Sequence, residues 1–270
     1  MLYDMFGHKP LTRRSFINYP GGKSHAKKII RSYFPKGIKE MVSPFCGGCR
    51  IELDCAADEI KVYAYDLYKE LVNFWQQMSL NKPELQTHAK NFIPVDKDRF
   101  MQVFEEYKSY SPTKKAVAFL LLHRCSYRGR AFSDKSRWFF PGHYFRDSVV
   151  KTIADYYNPY LVVKCADFEH ALAKHKDLFA YLDPPYMFAK SNNLYGNKGE
   201  LHAAFDHDRL CKVLRSRQTP WVLSYNNCQA IRQMYKGYRF EYPKWTQTFS
   251  GKSSKGNEIL IINSVAYDLV

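Results

Sequence analysis

The chain has 270 residues and a mass of 31.8 kDa, and its 46% apolar and 16% aromatic residues can build a sizeable core, which excludes a disordered tail. Lys and Arg number 41 against 26 Asp and Glu, giving a net charge of +15, and an excess of this size favours a polyanionic partner such as nucleic acid. No apolar run is long enough to cross a bilayer, so we expect no membrane association.

The cysteines predict a reducing compartment. There are seven, an odd number, and no secretory leader precedes them, so we expect a cytoplasmic protein whose thiols are mostly buried. Cys46 and Cys49 have the spacing of a redox or zinc pair. Since no second pair with ligand spacing follows, we expect no metal site.

Short apolar runs bounded by turn residues predict buried strands at 41–43, 62–65, 161–163, 178–182, 221–223 and 259–262. Amphipathic segments separate most of them. This alternation predicts an α/β fold with a doubly wound, mainly parallel sheet, whose ligands bind at the carboxyl ends of the strands.

The interval from about 76 to 158 breaks the alternation. It contains helical patterns at 99–107 and 114–122, followed by a basic and aromatic stretch without strand periodicity. We therefore predict a catalytic domain formed by residues 1–75 and 159–270, with an inserted target-recognition domain at 76–158.

The basic residues are concentrated in two blocks, at 1–39 and at 114–151. A block of this kind is often only a solvated surface. Two blocks, the second with interleaved aromatic residues, favour binding of nucleic acid.

Two features around the first strands indicate a nucleotide site. Residues 43–49, Ser-Pro-Phe-Cys-Gly-Gly-Cys, place a tight glycine turn where a strand passes into a helix, which lets the backbone approach a ligand. Asp66 ends the second strand, where an acidic residue can accept hydrogen bonds from ribose hydroxyls. A phosphate-binding loop ending at Gly22-Lys23-Ser24 is excluded because Ile17 occupies the position of its first glycine.

The segment Asp183-Pro184-Pro185-Tyr186 follows an apolar run and predicts a site that methylates an amino group. The prolines restrict the backbone and hold Asp183 at the end of a buried strand. The Asp183 carboxylate and the Pro184 carbonyl can accept the two N–H bonds of an exocyclic amine, and the Tyr186 ring can stack on the base. Such a site cannot reach an amine inside a duplex, so the base has to be flipped out.

In motif order, nearly the whole chain resembles the Dam-like group of DNA adenine-N6 methyltransferases, which use S-adenosylmethionine. The matching segments are residues 18–23, 44–48, 65–66, 167–168, 183–186, 223–226 and 257–261. The resemblance implies a seven-stranded sheet of the S-adenosylmethionine-dependent methyltransferase type with a mostly helical DNA-recognition lobe. It also implies double-stranded DNA as partner, a prokaryotic or phage-infected host cell with the enzyme near the nucleoid, and the setting of restriction-modification.

The resemblance carries roles onto individual residues. Asp183, Pro184 and Tyr186 are the implied catalytic residues, and the implied cofactor-binding residues are Tyr19, Lys23, Phe45, Cys46, Gly47, Asp66, Asp167, Phe168 and Asp183. The recognition lobe falls around residues 123–129, and the expected DNA-binding residues are Arg124, Tyr127, Arg128, Arg130 and Arg137. For each arginine, phosphate contact is the expected role, with one or two reading guanine edges.

The chain departs from the family pattern at three positions: Cys49 replaces a usual glycine, and His123 and Tyr127 replace residues more often seen as Asn and Phe. Three alternatives stay open. They are cytosine-N4 methylation by a similar tetrapeptide, methylation of a protein glutamine, and a non-catalytic DNA-binding relative that has lost its cofactor because of Cys49. Oligomeric state is left open, and a monomer is compatible with the sequence.

Overall fold

The computed structural model describes residues 11–17, 23, 26–126, 144–187, 205–243, 246–249, 252–255 and 257–263. Tyr19, Tyr127, Arg128, Arg130 and Arg137, which the sequence analysis singled out, lie outside these residues.

The strands of the described chain are β1 Glu40–Ser43, β2 Lys61–Asp66, β3 Leu161–Cys165, β4 Phe179–Leu182, β5 Trp221–Asn226, β6 Arg239–Glu241, β7 Thr246–Phe249, β8 Lys252–Lys255 and β9 Glu258–Ile262. Seven of them form one sheet in the order β3-β2-β1-β4-β5-β9-β6, and β7 and β8 form a separate hairpin. The first five strands of the sheet run parallel, and β9 runs antiparallel to both neighbours. The predicted fold class is confirmed.

Each predicted apolar run is a strand within a few residues of the expected bounds. The sequence analysis missed β6 and the hairpin β7-β8. Strand β6 was missed because of its composition: Arg239-Phe240-Glu241 is a short edge strand without an apolar run.

The helices fill the intervals between strands. They are α1 Lys27–Arg31, α2 Arg50–Ala56, α3 Lys69–Leu80, α4 Lys82–Phe92, α5 Lys97–Glu106, α6 Pro112–Arg124, α7 Asp147–Asp155, α8 Phe168–Lys174, α9 His207–Ser216 and α10 Gln229–Met234, with a 3₁₀ turn at Tyr107–Ser109. Side-chain caps fix several starts: Ser111 accepts from Lys114 N at the start of α6, and Asp206 accepts from Arg209 N at the start of α9.

Alternating side chains of the strands pack into two hydrophobic cores, one on each face of the sheet. Met41 and Val62 belong to the core that packs under α1 to α7, whereas Val42 and Leu182 belong to the core under α8 to α10. Because both faces are covered, the central strands are buried almost throughout, as in a doubly wound sheet.

The interval 76–158 contributes helices α4 to α7 in its described part. Its buried residues, such as Phe100 and Leu120, join the same core as Met41 of the sheet. The base of this interval is therefore packed firmly against the sheet, and the division into two domains remains a prediction.

All seven cysteines lie within the described residues, none forms a disulfide, and five of them are buried, as predicted. A search of the described ranges finds no group of His, Cys, Asp or Glu arranged to hold a metal ion. Over the same ranges, no helix combines the length and apolar character that crossing a membrane requires.

Candidate active site

The strand order reverses between β1 and β4, which are neighbours in the sheet. Since parallel strands end at the same edge, the loop after β1 and the segment after β4 meet at this switch point, where open α/β sheets bind ligands. The residues predicted for the cofactor and those predicted for catalysis are thereby placed side by side.

The loop after β1 turns sharply through left-handed backbone. Gly47 has φ +46° and Cys49, which precedes α2, has φ +50°. For a residue with a Cβ atom this conformation costs about 1–2 kcal/mol. Glycine adopts this conformation without that cost, and here a fully buried cysteine adopts it.

Asp66 ties this loop to the end of β2. Its Oδ2 accepts a hydrogen bond of 2.9 Å from Gly47 N, and its Oδ1 accepts one of 2.9 Å from Tyr68 N. Burial raises the pKa of Asp66, although the backbone donors oppose that shift. An ionised carboxylate has about four acceptor positions, so Asp66 retains capacity for the hydroxyls of a ligand.

An aromatic cluster lines the same side. The ring centroids of Phe45 and Phe168 are 5.6 Å apart, and Phe205 lies 5.5 Å from Phe45 and 5.8 Å from Phe168. Phe205 was missed by sequence analysis, which had no motif to attach to a single phenylalanine ahead of α9. Phe45 and Phe205 are only partly buried, so ring surface is available to a flat ligand.

Asp167 and Phe168 both contact Arg209, a residue of α9. Asp167 caps α8 by accepting from Glu169 N, and Arg209 donates to its Oδ2 at 2.5 Å while lying 4.3 Å above the Phe168 ring. Arg209 was not predicted.

These groups fit a nucleoside. Aromatic faces suit a purine, a carboxylate at the end of β2 suits ribose hydroxyls, and the turn at Gly47 brings backbone close. We call this set, made of residues 45–49, Asp66, Phe168 and Phe205, the loop side.

The other half of the site consists mainly of charged side chains. Asp183 directly follows the wholly buried β4, as predicted, and Lys23 Nζ lies 3.0 Å from its Oδ1 and 3.8 Å from Oε1 of Glu258. We call the four residues Lys23, Asp183, Tyr186 and Glu258 the charge side.

Tyr186 is fixed within this cluster. Its hydroxyl lies 3.2 Å from Ser224 Oγ, a hydrogen bond in which either oxygen can be the donor. Lys23 Nζ lies 4.9 Å from the ring centroid, and the ring of Tyr225 packs beside it at 5.9 Å. The ring orientation is therefore set by contacts on several sides.

The charged groups of the charge side shift one another's pKa values. Burial raises the pKa of Asp183, and Lys23 offsets only part of that rise. Burial alone would lower the pKa of Lys23, but the carboxylates of Asp183 and Glu258 outweigh it and raise that pKa. The resemblance assigned Lys23 to the cofactor, whereas here its ammonium lies against Asp183, the residue predicted for catalysis.

Glu258 was not predicted as a site residue. It reaches this edge because β9 is antiparallel, which places its first residue beside Asn226 at the end of β5. The available signal was a lone carboxylate at the start of a strand that is otherwise entirely apolar and buried.

Another buried carboxylate, that of Glu52 on α2, interacts electrostatically with Asp66 of the loop side and Asp183 of the charge side. It is 3% exposed and accepts a hydrogen bond of 2.6 Å from Ser43 Oγ. Burial, opposed by that bond and reinforced by the charges of Asp183 and Asp66, raises the pKa of Glu52 to about 7.

Among the predicted DNA-binding residues, Arg124 lies within the described residues. Its guanidinium donates to the carbonyls of Tyr144 at 2.8 Å and Phe16 at 3.3 Å. This joins the end of α6 to two other segments. Its contact with DNA remains a prediction.

The fold and this site together define an α/β protein with groups suited to a nucleoside and an ion-pair cluster at one switch point. Comparison with known proteins gives the family. Residues 19–250 match the family model of the D12 class N6 adenine-specific DNA methyltransferases, and the chain belongs to that family. The predicted family, function and enzyme class are confirmed: the activity is methylation of adenine N6 in DNA.

Two relatives from Escherichia coli align over most of their length. The Retron Ec67 DNA adenine methylase is 23% identical over 92% of this chain and 91% of its own, and the DNA adenine methylase of strain K12 is 24% identical over 92% and 95%. Among solved structures, a precorrin-6y C5,15-methyltransferase from Geobacter metallireducens has 9% identity and a TM-score of 0.36, covering 87% of this chain and 86% of its own. That likeness is too low to carry an argument.

Proposed function

We propose that this chain transfers a methyl group from S-adenosylmethionine to N6 of an adenine flipped out of duplex DNA. The observation that carries the proposal is the position of Asp183, at the end of β4 beside Lys23 and next to the aromatic and acidic groups of the loop side. When bound, S-adenosylmethionine supplies an electrophilic methyl group on a sulfonium centre.

The loop side holds the cofactor. Asp66 accepts from the ribose, the backbone of Phe45, Cys46 and Gly47 lies against the nucleoside, and Phe168, with Phe205, flanks its adenine. The fit rests on the groups present. The Asp66 carboxylate can accept hydrogen bonds from ribose hydroxyls, and the aromatic ring faces can stack on adenine. Tyr19 and Asp167 are the remaining family positions for this role.

The charge side activates the amine. The lone pair of an adenine amine is delocalised into the ring, so acceptors that favour a tetrahedral nitrogen are needed for attack. Lys23 occupies Oδ1 of Asp183, which leaves the second carboxylate oxygen to accept one N–H bond, while the Pro184 carbonyl accepts the other. Tyr186 stacks on the base, and Asp183 takes or relays the proton that the nitrogen loses after transfer.

The inserted domain at 76–158 supplies the DNA contacts. Its basic residues Arg124, Arg128, Arg130 and Arg137, with Tyr127, hold phosphates or read base edges, and they offset a flipping cost of a few kcal/mol. We place the activity in the cytoplasm of a bacterial or phage-infected cell, which the Escherichia coli relatives support.

The test is transfer of labelled methyl from S-adenosylmethionine to unmethylated duplex DNA, with the modified nucleoside identified by mass. Wild type is compared with Asp183→Ala and with Asp177→Ala, a surface aspartate in the turn that precedes the same strand. N6-methyladenine from wild type and Asp177→Ala, but not from Asp183→Ala, is the expected result. DNA binding without any transfer by wild type would make the chain a non-catalytic relative.

A further inference from the structure

His207, the first residue of α9, joins the loop side to strand β5. Its ring meets the ring of Phe205 edge to face, with the centroids 4.9 Å apart, and Phe205 in turn packs on Phe45 and Phe168. On its other side, Nδ1 of His207 is hydrogen-bonded to the hydroxyl of Tyr225, and either atom can be the donor. The same side chain therefore contacts an aromatic ring of the loop side and a tyrosine of β5.

Tyr225 connects His207 to the charge side. Its side chain is fully buried, and its ring packs beside that of Tyr186, with the centroids 5.9 Å apart. A close-packed ring whose hydroxyl is also hydrogen-bonded has little freedom to move. The position of the Tyr186 ring therefore depends, through Tyr225, on His207.

The two ends of this series of contacts serve different ligands in the proposed function. Phe205 flanks the adenine of the cofactor, whereas Tyr186 stacks on the target base. A ligand that orders one end lowers the entropy cost of ordering the other end, and this makes the two binding events cooperative.

We propose that His207 and Tyr225 are positioning residues that connect the adenine pocket of the cofactor to the stacking face for the target base. This rests on the proposed function, since it takes S-adenosylmethionine as the donor and a flipped-out adenine as the acceptor. Binding of the cofactor at the loop side then fixes the Tyr186 ring, so that the flipped base binds more tightly to a chain that already holds its cofactor.

The test is the affinity of the full chain for a labelled duplex that contains its methylation site, measured with and without saturating S-adenosylhomocysteine. This product offers the same adenine and ribose as the donor but has no methyl group to transfer. For wild type we expect S-adenosylhomocysteine to tighten DNA binding by about tenfold, a typical coupling between two sites. A duplex with an abasic site in place of the target adenine has no base for Tyr186, so its gain in affinity should be less than about threefold.

Two variants remove the hydrogen bond between His207 and Tyr225 and keep both rings. Tyr225→Phe deletes the hydroxyl, and His207→Phe deletes the ring nitrogen at a partly exposed position, which keeps the inference testable if the buried change unfolds the chain. Each should reduce the gain in DNA affinity to less than about threefold and change the affinity for S-adenosylhomocysteine alone by less than about threefold. The double variant should lose no more than either single variant, because all three remove the same bond.

Tyr235→Phe is the matched control. Tyr235 is also fully buried, its ring lies 6.4 Å from that of Tyr225, and within the described part of the chain its hydroxyl has no hydrogen-bond partner. This variant should keep the full gain in DNA affinity.

An undiminished gain in both test variants, an equal loss in Tyr235→Phe, or an equal gain with the abasic duplex would overturn the inference. A wild-type chain whose DNA affinity does not respond to S-adenosylhomocysteine would overturn it too. In each of these cases methyl transfer by wild type leaves the proposed function standing. A wild-type chain that neither binds S-adenosylhomocysteine nor transfers methyl groups would overturn the proposed function, and with it this inference.

Discussion

The loop side and the charge side lie next to each other at one edge of the sheet but are built from different interactions. The loop side relies on backbone geometry, aromatic rings and a single carboxylate that is satisfied by backbone donors. The charge side places one ammonium against two carboxylates and a tyrosine ring. The difference teaches that one edge of a sheet can place groups suited by shape to a nucleoside beside a concentrated cluster of charge.

The largest stability effect is expected on the charge side, from Lys23→Met. This change leaves the buried Glu258 and the partly buried Asp183 without the Lys23 ammonium, and breaking a buried ion pair costs about 3 kcal/mol or more. Urea unfolding at pH 8 measures it, with Lys61→Met, which removes a surface contact to Pro159, as control. A loss below about 1 kcal/mol would show that the carboxylates are relieved in another way.

Glu52 gives a pH-dependent effect of nearly the same size. Its folded-state pKa of about 7 lies above the ordinary value of 4.5, so its stabilisation is present below the unfolded pKa and is lost as pH rises through 7. Wild type should therefore lose about 2–3 kcal/mol of unfolding free energy relative to Glu52→Gln as the pH rises from 5 to 8.

The measurement is urea unfolding of both proteins at several pH values. The Gln side chain can still accept from Ser43, so the comparison isolates the charge. A difference that stays constant from pH 5 to pH 8 would mean that Glu52 titrates normally.

On the loop side, Asp66→Asn should cost about 1–2 kcal/mol in unfolding free energy, because an amide turned toward Tyr68 N presents its own donor to Gly47 N. Affinity for S-adenosylmethionine should fall by about tenfold. Urea unfolding and calorimetry measure the two effects. Asp98→Asn, in the first turn of α5, controls for the loss of one acid; unchanged affinity in Asp66→Asn would remove Asp66 from the nucleoside site.

The smallest effect is expected at Cys49. Cys49→Gly relieves left-handed backbone but deletes a buried side chain, so the two contributions offset to within about 1 kcal/mol. Glu59→Gly is the matched control: Glu59 has φ +61° and is exposed, so this change should stabilise by about 1 kcal/mol. A large gain for Cys49→Gly would mean that the buried thiol contributes nothing to packing.

The two sides also differ in how far sequence could predict them. Local spacing was sufficient for Gly47 and Asp66 of the loop side, because Gly47 lies in a strand-to-helix turn and Asp66 at a strand end. Asp183 was found in the same way, since prolines mark the end of β4. Glu258 depends on the reversal of β9 and on pairing with β5, a long-range relation that no local pattern contains. Phe205 and Arg209 likewise act through contacts with residues about 40 or more positions earlier.

The measurement that tests the account most directly is the single-turnover rate of methyl transfer by Asp183→Asn, with duplex DNA and S-adenosylmethionine both saturating. If Asp183 acts on the amine during transfer, the rate should fall by about 10³-fold even though the ternary complex is fully formed. A saturated rate within about threefold of wild type would contradict the assignment of the charge side to the transfer step.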